Sequence, residues 1–456
     1  MSWRRSMSWM PVLLGATQFI IIATALGQGG SVAADLPTPS MPLPLATPQS
    51  QGLSKSRLER LDAYMRASVD TTRVDARPVD ARAAGHYGGA VVLIARNGRI
   101  VEWRTYGHRD VAGTKPMERD SIFRIYSMTK TLASVATLVL MEEGKLNLED
   151  PVSRYIPEFA NVQVFAGGTA DAPQLRPPKR PITLRQLLTH VSGFATSSKD
   201  PADASELLRN AHLDREPDLK TFSEKLARLP LGADPGDRYS YDGTSTNVLG
   251  RVIEVAAGQP LDAFMRERVF EPLRLKDTGF TVPSEQRARV VEMTSTDAEG
   301  RLIPSPAYAG TQLGERIGSF PSPAGGLYST AGDYARFCQM LLNGGDLDGV
   351  SILGRKTVEL MMSNHLTHLD PPVTEFSESE GMGLGGYVVL DVARRGRPGS
   401  VGQFGWSGAA GTYYTIDRQE GLTAILLTQH LPQGLPRDPP KISVRFYNLV
   451  YQSLVK

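Results

Sequence analysis

The chain has 456 residues, 41% of them hydrophobic and 21% charged, a globular composition that excludes the disordered, collagen-like and low-complexity classes. Its 50 Lys and Arg against 48 Asp and Glu give a net charge of +2, no basic footprint for nucleic acid. One cysteine, Cys338, excludes an internal disulfide and a cysteine-based metal cluster, and seven scattered histidines without a His-Glu-x-x-His pattern argue against a zinc hydrolase.

Taken in chain order, Arg4 and Arg5 precede an apolar run from Pro11 to Leu26, followed by small residues up to Val32-Ala33-Ala34. That pattern predicts a secretory signal peptide over residues 1–34. The run is broken by Gln18 and is shorter than the ~20 residues of a membrane span. Cleavage is therefore expected rather than a retained anchor, leaving no membrane span and a periplasmic or secreted location. The mature chain then carries 48 basic and 48 acidic residues, net zero, which says nothing about oligomeric state. Residues 35–51, with five prolines, read as an extended leader. Ser54 opens an amphipathic helix through Leu58, Leu61, Met65 and Val69. Ala90–Ala95 and Ile100–Tyr106 are strand candidates around Asn97-Gly98, the strongest short-range hairpin signal because both turn residues must take positive φ.

Further helices are expected at Ser127–Glu143, Asn247–Ala257 and Asp333–Asn343, each closed by glycine, and at Lys441–Val455. Ala166–Pro181, rich in Gly, Ala and Pro, reads as a surface insertion. Thr412–Asp417 and Leu422–Gln429 are late strands around a turn. Strands near both ends with helices between them predict an α/β domain over 52–456. Its α/β part is assembled from about 52–126 and 325–456, and a mostly helical insert spans about 127–324.

The Gly-x-Ser-x-Gly pentapeptide of α/β-hydrolases is absent from the sequence. Ser127-Met-Thr-Lys130 stands instead at the start of an apolar helix. Positions i and i+3 share a face, so Ser127 and Lys130 are expected to meet. Burial and the positive end of the helix dipole both act to lower the lysine pKa, and a neutral amine can take the Ser127 proton. The same helix start offers the Ser127 backbone N–H to an oxyanion. Ser-x-x-Lys alone carries little information: Ser453–Lys456 satisfies it at the C-terminus.

Its context decides. Phe123–Lys130, Leu187-Leu-Thr-His-Val-Ser-Gly193, Tyr241 with Asn247-Val-Leu-Gly250, Val269–Leu273 with Lys276–Phe280, Gly325–Thr330 with Asp333-Tyr334, and Trp406-Ser-Gly408 occur together in one order. This set resembles the class C β-lactamase-like serine hydrolases over roughly residues 52–455. The resemblance implies a β-lactamase/transpeptidase-like fold, an antiparallel sheet flanked by N- and C-terminal helices plus a helical inserted domain. It implies Ser127 as acylated nucleophile, Lys130 as its base and Tyr241 as the proton shuttle, with Tyr239 as fallback. The backbone N–H groups of Ser127 and Ala409 become oxyanion donors, and Trp406, Ser407 and Gly408 line the substrate site. His190 reads as structural, and Asp333, Tyr334 and Cys338 as packing or capping residues. No metal or organic cofactor is implied.

Two departures narrow the substrate. Where the lactamases and cell-wall peptidases have Tyr-x-Asn, this chain has Gly243, and the lysine of their Lys-Thr-Gly is Trp406. Losing a charge-assisted bond costs roughly 1.5–3 kcal/mol, about tenfold to a hundredfold in affinity, while tryptophan supplies a broad apolar wall. The Trp-x-Gly form is typical of the family VIII carboxylesterases. The expected activity is thus a carboxylesterase cleaving uncharged short-acyl esters, a small-molecule substrate. A β-lactamase or D-amino-acid amidase or peptidase is the alternative within the family, and a non-catalytic scaffold the alternative outside it.

Overall fold

Two strands that are buried along their whole length set the architecture. All eight residues of β1 (Gly89–Arg96) are buried, and so are all seven of the strand Leu422–Thr428. Side chains alternate across a strand, so burial at every position requires cover on both faces. The computed structural model, which describes residues 42–69, 86–369 and 378–456, shows that cover. The strands are β1, β2 (Arg99–Gly107), β3 (Glu380–Met382), β4 (Tyr387–Val389), β5 (Phe404–Gly408), β6 (Thr412–Asp417) and β7 (Leu422–Thr428). They form one antiparallel sheet in the order β3-β4-β5-β6-β7-β1-β2. The principal helices are α1 (Lys55–Val69), α2 (Thr129–Glu142), α3 (Thr244–Ala257), α4 (Ala331–Leu342) and α5 (Ser443–Tyr451).

One sheet face carries Ala90, Val92 and Ile94, which share a core with Leu58, Leu61 and Met65 of α1 and Phe446 and Val450 of α5. The other carries Val91, Leu93 and Leu427, in the same core as α2 and α4. The first and last helices therefore cover one side together. The β1–β2 hairpin turns as its sequence predicts, with Asn97 at φ +52° and Gly98 at +74°.

Helix α2, inside the stretch read as the helical insert, is buried at every position from Thr129 to Leu140. A helix apolar on all sides belongs in a core. Thr131 Oγ1 fixes it to the sheet region, 2.7 Å from both the Gly385 carbonyl and Tyr414 Oη. The stretch read as a surface insertion is exposed or half-buried throughout residues 166–181 and is ordered by a two-stranded hairpin, Val164–Gly168 with Pro173–Arg176. Arg176 anchors it through paired bonds of 2.9 and 2.7 Å to Asp234.

The predicted signal peptide lies outside the described residues, as do 35–41 of the leader and 370–377. The remainder of the Pro-rich stretch lies along β2. Ile100 N–H donates to the Pro44 carbonyl (2.8 Å), Ala46 N–H to the Ile100 carbonyl (2.9 Å), and Leu43 is buried. An open sheet edge is thereby partly covered. Among the described residues no helix is long and apolar enough to cross a membrane.

Candidate active site

The nucleophile candidate sits on a tight reversal between a short strand and α2. After Phe123–Arg124 the chain makes a 3-10 turn over Tyr126–Met128, and the α-helix begins at Thr129, two residues later than the sequence pattern predicts. Tyr126 adopts φ +44°, a left-handed conformation that costs a non-glycine residue about 1–3 kcal/mol and persists only where its surroundings impose it. Here they do. Its hydroxyl meets that of Tyr308, Met128 N–H donates to the Ile125 carbonyl (3.1 Å), and Tyr334 Oη donates to the Met128 carbonyl (3.0 Å).

Lys130, one helical turn on and 4% exposed, places Nζ 3.2 Å from Ser127 Oγ. The same ammonium donates to the Ala324 carbonyl at 2.7 Å. Neither of these two oxygens carries a formal charge. Ala324 was not singled out from the sequence. It belongs to residues 322–326, which touch both the Tyr126–Lys130 turn and α3 with the loop before it. Ser322 Oγ donates to Asn247 of α3 (2.8 Å), Pro323 packs where a Gly250 side chain would stand, and Gly325 lies beside Tyr126. A Cβ on Gly243 would come within 3.3 Å of Ala324 Cβ, so this segment crowds the place that the asparagine of Tyr-x-Asn would occupy.

Tyr241 faces the pair from α3's leading turn. Its ring centroid is 5.0 Å from Lys130 Nζ, and Trp406 Nε1 donates to its hydroxyl at 3.3 Å with the two rings 5.2 Å apart. Behind it stands His190, 4.8 Å ring to ring, fully enclosed and at φ +57°. Burial lowers the His190 pKa, against the raising effect of the Asp242 carboxylate 3.6 Å from Nδ1. Asp242 also accepts from Ser245 Oγ (2.9 Å), tying the tyrosine loop to α3. The histidine thus braces Tyr241 and does not touch the serine–lysine pair. Tyr239 packs on the same imidazole at 6.1 Å and does not line the cavity described next.

The β5–β6 turn closes the site. A Cβ on Gly408 would lie 2.3 Å from the Ile125 carbonyl, so only glycine lets β5 come this close to the backbone two residues before Ser127, and Thr412 Oγ1 donates to that same carbonyl (3.2 Å). Ser127, Tyr241 and Trp406–Ala409 line one cavity of about 390 Å³, whose other walls include Tyr87, Tyr413 and His430. Ala409 is exposed, and among the described residues its backbone N–H has no protein acceptor. The structure therefore gathers Ser127, Lys130, Tyr241, Trp406, Ser407, Gly408 and Ala409 at one place. Tyr87, Tyr413 and His430 were not foreseen, because nothing local in their segments marks them.

Asp333, Tyr334 and Cys338 lie in the packed interior. Asp333 accepts from Asp277 N–H (2.8 Å) and Thr278 Oγ1 (2.9 Å), and burial pushes its pKa up to about 7. Burial likewise raises the Cys338 thiol well above its ordinary range.

An antiparallel sheet covered by terminal helices, with a helix-borne serine and buried lysine at the edge of a helical region, defines the β-lactamase/transpeptidase-like architecture. The Beta-lactamase family profile matches residues 62–444, and the chain belongs to that family. Protein Rv1367c of Mycobacterium tuberculosis is 35% identical over 362 residues, 76% of this chain and 87% of that protein. Esterase EstB of Burkholderia gladioli is 30% identical over 385 residues, 78% and 89% of the two chains. The solved structure of EstCE1, described as a hydrolase with promiscuous acyltransferase activity, aligns at TM-score 0.70 and 25% identity, covering 87% of this chain and 99% of its own. The chain is a hydrolase of the β-lactamase fold.

Proposed function

We propose that the chain is a serine carboxylesterase acting on uncharged short-acyl esters through an acyl-Ser127 intermediate. The observation that carries this reading is the 3.2 Å contact of Lys130 Nζ with Ser127 Oγ, at a cavity walled by Trp406. Lys130 in its neutral form takes the Ser127 proton as Oγ attacks the ester carbonyl. The Ser127 and Ala409 N–H groups receive the oxyanion, a fixed pair of dipoles that needs no reorganisation. As the tetrahedral species collapses the C–O bond to the alcohol breaks, and Tyr241 gives the departing alkoxide its proton. Tyr241, left as the phenolate by that transfer, then takes a proton from water and is restored to the phenol, while the water oxygen attacks the acyl carbon and releases the acid and free Ser127. The proton held by Lys130 returns to Ser127 Oγ in that last step.

Trp406 and the crowding at Gly243 support esters over lactams and peptides, since the site lacks there both the lysine charge and room for the asparagine amide. EstB supports the ester class by its name, and EstCE1 supports hydrolysis with acyl transfer by its description. Export through residues 1–34 forms part of the same reading.

The test is the initial rate of p-nitrophenyl butyrate hydrolysis by the purified chain beside Ser127→Ala. Turnover that vanishes in the variant supports the reading. Equal rates in both proteins remove Ser127 as nucleophile. A folded wild type that cleaves nitrocefin at least as efficiently as the butyrate ester turns the assignment to a β-lactamase, and absence of Ser127 labelling by a fluorophosphonate turns it to a scaffold.

A further inference from the structure

The turn that presents Ala409 is held from behind by a residue outside the catalytic set. Gly408, Ala409, Ala410 and Gly411 link β5 to β6, with Gly411 N–H donating to the Gly408 carbonyl at 3.1 Å. Gly411 alone of the four takes positive φ, +77°. A turn followed by a left-handed glycine is a common hairpin closure, in which the glycine's conformation aims the preceding peptides. On its outer side the turn leans on the end of β7. Thr428, fully buried, directs Oγ1 at two carbonyls, Ala410 at 3.0 Å and Gly411 at 2.8 Å, while its N–H donates to Gly411 at 3.2 Å. His430 N–H adds a further bond to the Ala410 carbonyl at 3.0 Å. On its inner side the turn is pressed against Ile125, two residues before Ser127, through Gly408 and Thr412.

Resting on the reading above, we propose that Thr428 is a positioning residue for the oxyanion donor: its hydroxyl, shared between the Ala410 and Gly411 carbonyls, fixes the Ala410–Gly411 peptide, whose N–H bonds the Gly408 carbonyl and so orients the Gly408–Ala409 peptide that carries the Ala409 N–H. A hydroxyl has one proton, so the two contacts are a three-centre bond, which resists rotation of either carbonyl. Among the described residues the Ala409 N–H has no protein acceptor to orient it. Its aim comes from the turn that carries it. A donor displaced from the oxyanion position loses its effect on the transition state while leaving ground-state binding at Trp406 intact. A Thr428 side chain that merely filled space would act on stability alone. Room for it is tight in any case, since a Gly411 Cβ would fall 2.2 Å from its Oγ1.

The experiment compares Thr428→Val, which keeps the shape and removes the hydroxyl, with Thr428→Ser, which keeps the hydroxyl and removes the methyl. With p-nitrophenyl butyrate, Thr428→Val is expected to lose about tenfold or more in kcat with KM changed less than about twofold, and Thr428→Ser to stay within about threefold of wild type. The inhibition constant of phenylboronic acid, whose tetrahedral serine adduct places an oxygen in the hole, is expected to rise with the valine variant by a similar factor. Wild-type kcat in Thr428→Val overturns the proposal, as does a loss in both variants that follows melting temperature. If the valine variant fails to fold, Thr428→Ala takes its place: a loss of about tenfold or more in kcat with KM nearly unchanged supports the proposal, and wild-type kcat in the folded alanine variant, or a fall of more than tenfold in folded Thr428→Ser, overturns it. Failure of the wild type on esters strikes the esterase reading instead, and the boronate comparison still decides the role of Thr428.

Discussion

The two halves of the site are built in opposite ways. The Ser127–Lys130 half is local in sequence and largely buried: both residues come from one turn and the helix it opens, Ser127 stands half-buried at the cavity, and α2 behind it is buried through twelve consecutive positions. The Trp406–Ala409 half is the end of a hairpin, with Ser407 and Ala409 exposed, held by contacts from Ile125, Thr428 and His430 far away in the chain. The first half depends on one side-chain contact, Lys130 Nζ at 3.2 Å from Ser127 Oγ. The second depends on close approach, which glycine permits. Chemistry can therefore be lost from the first by changing one group, and from the second by moving a backbone a fraction of an ångström.

The largest effect that separates them is expected at Lys130. Lys130→Met should lower kcat on p-nitrophenyl butyrate by about a thousandfold, in the range of removing a general base together with the nucleophile it activates. Its melting temperature should stay level or rise, because a buried ammonium with neutral partners gains little from its position. A clear fall in melting temperature would mean that the lysine holds the fold and that the two halves do not differ as described. Gly408→Ala should come next, with about a hundredfold loss in kcat, since the added methyl must push the turn from Ile125. Thermal unfolding measured beside the kinetics distinguishes a displaced turn from a damaged sheet.

Trp406→Lys addresses the wall. It should cost about tenfold in kcat/KM for the uncharged ester and improve turnover of an ester bearing a carboxylate, the charge-assisted bond being worth about 1.5–3 kcal/mol. Loss on both substrates alike would show that Trp406 supports Tyr241 more than it selects the ester. The smallest effect lies behind the site, at His190. Burial lowers its folded pKa below that of the unfolded chain, so the unfolded state binds the extra proton as pH falls. This group's share of stability is present above about pH 6.5 and is lost below it, at up to about 1.4 kcal/mol per pH unit. His190→Asn, which tolerates the left-handed backbone, should flatten that slope. Urea titrations of both proteins between pH 5 and 8 measure the difference, and parallel curves would rule the histidine out as its source.

Where the signal was local, the sequence sufficed. Asn97-Gly98 turned as predicted, Gly144 and Gly258 end α2 and α3 at φ +70° and +71°, and the i, i+3 spacing brought Lys130 to Ser127. Motif order placed Tyr241 and Trp406 at the same site, now within 3.3 Å of each other. The short strands β3 and β4, three residues each, carry too little pattern to be seen. The hairpin at Val164–Arg176 was hidden by composition that reads as loop, because the Arg176–Asp234 pair that anchors it joins residues 58 apart.

The sequence by itself thus determined the elements with a strong period or turn residue, the family, and the chemical groups of the site, since these depend on neighbours within a turn or on a set of motifs in order. Only the tertiary structure decided how those groups are aimed. The left-handed Tyr126, the Ala324 carbonyl on Lys130, and the seating of Gly408 on Ile125 each join segments distant in the chain. Their energies come from packing that no single segment contains, and a local pattern carries no record of them.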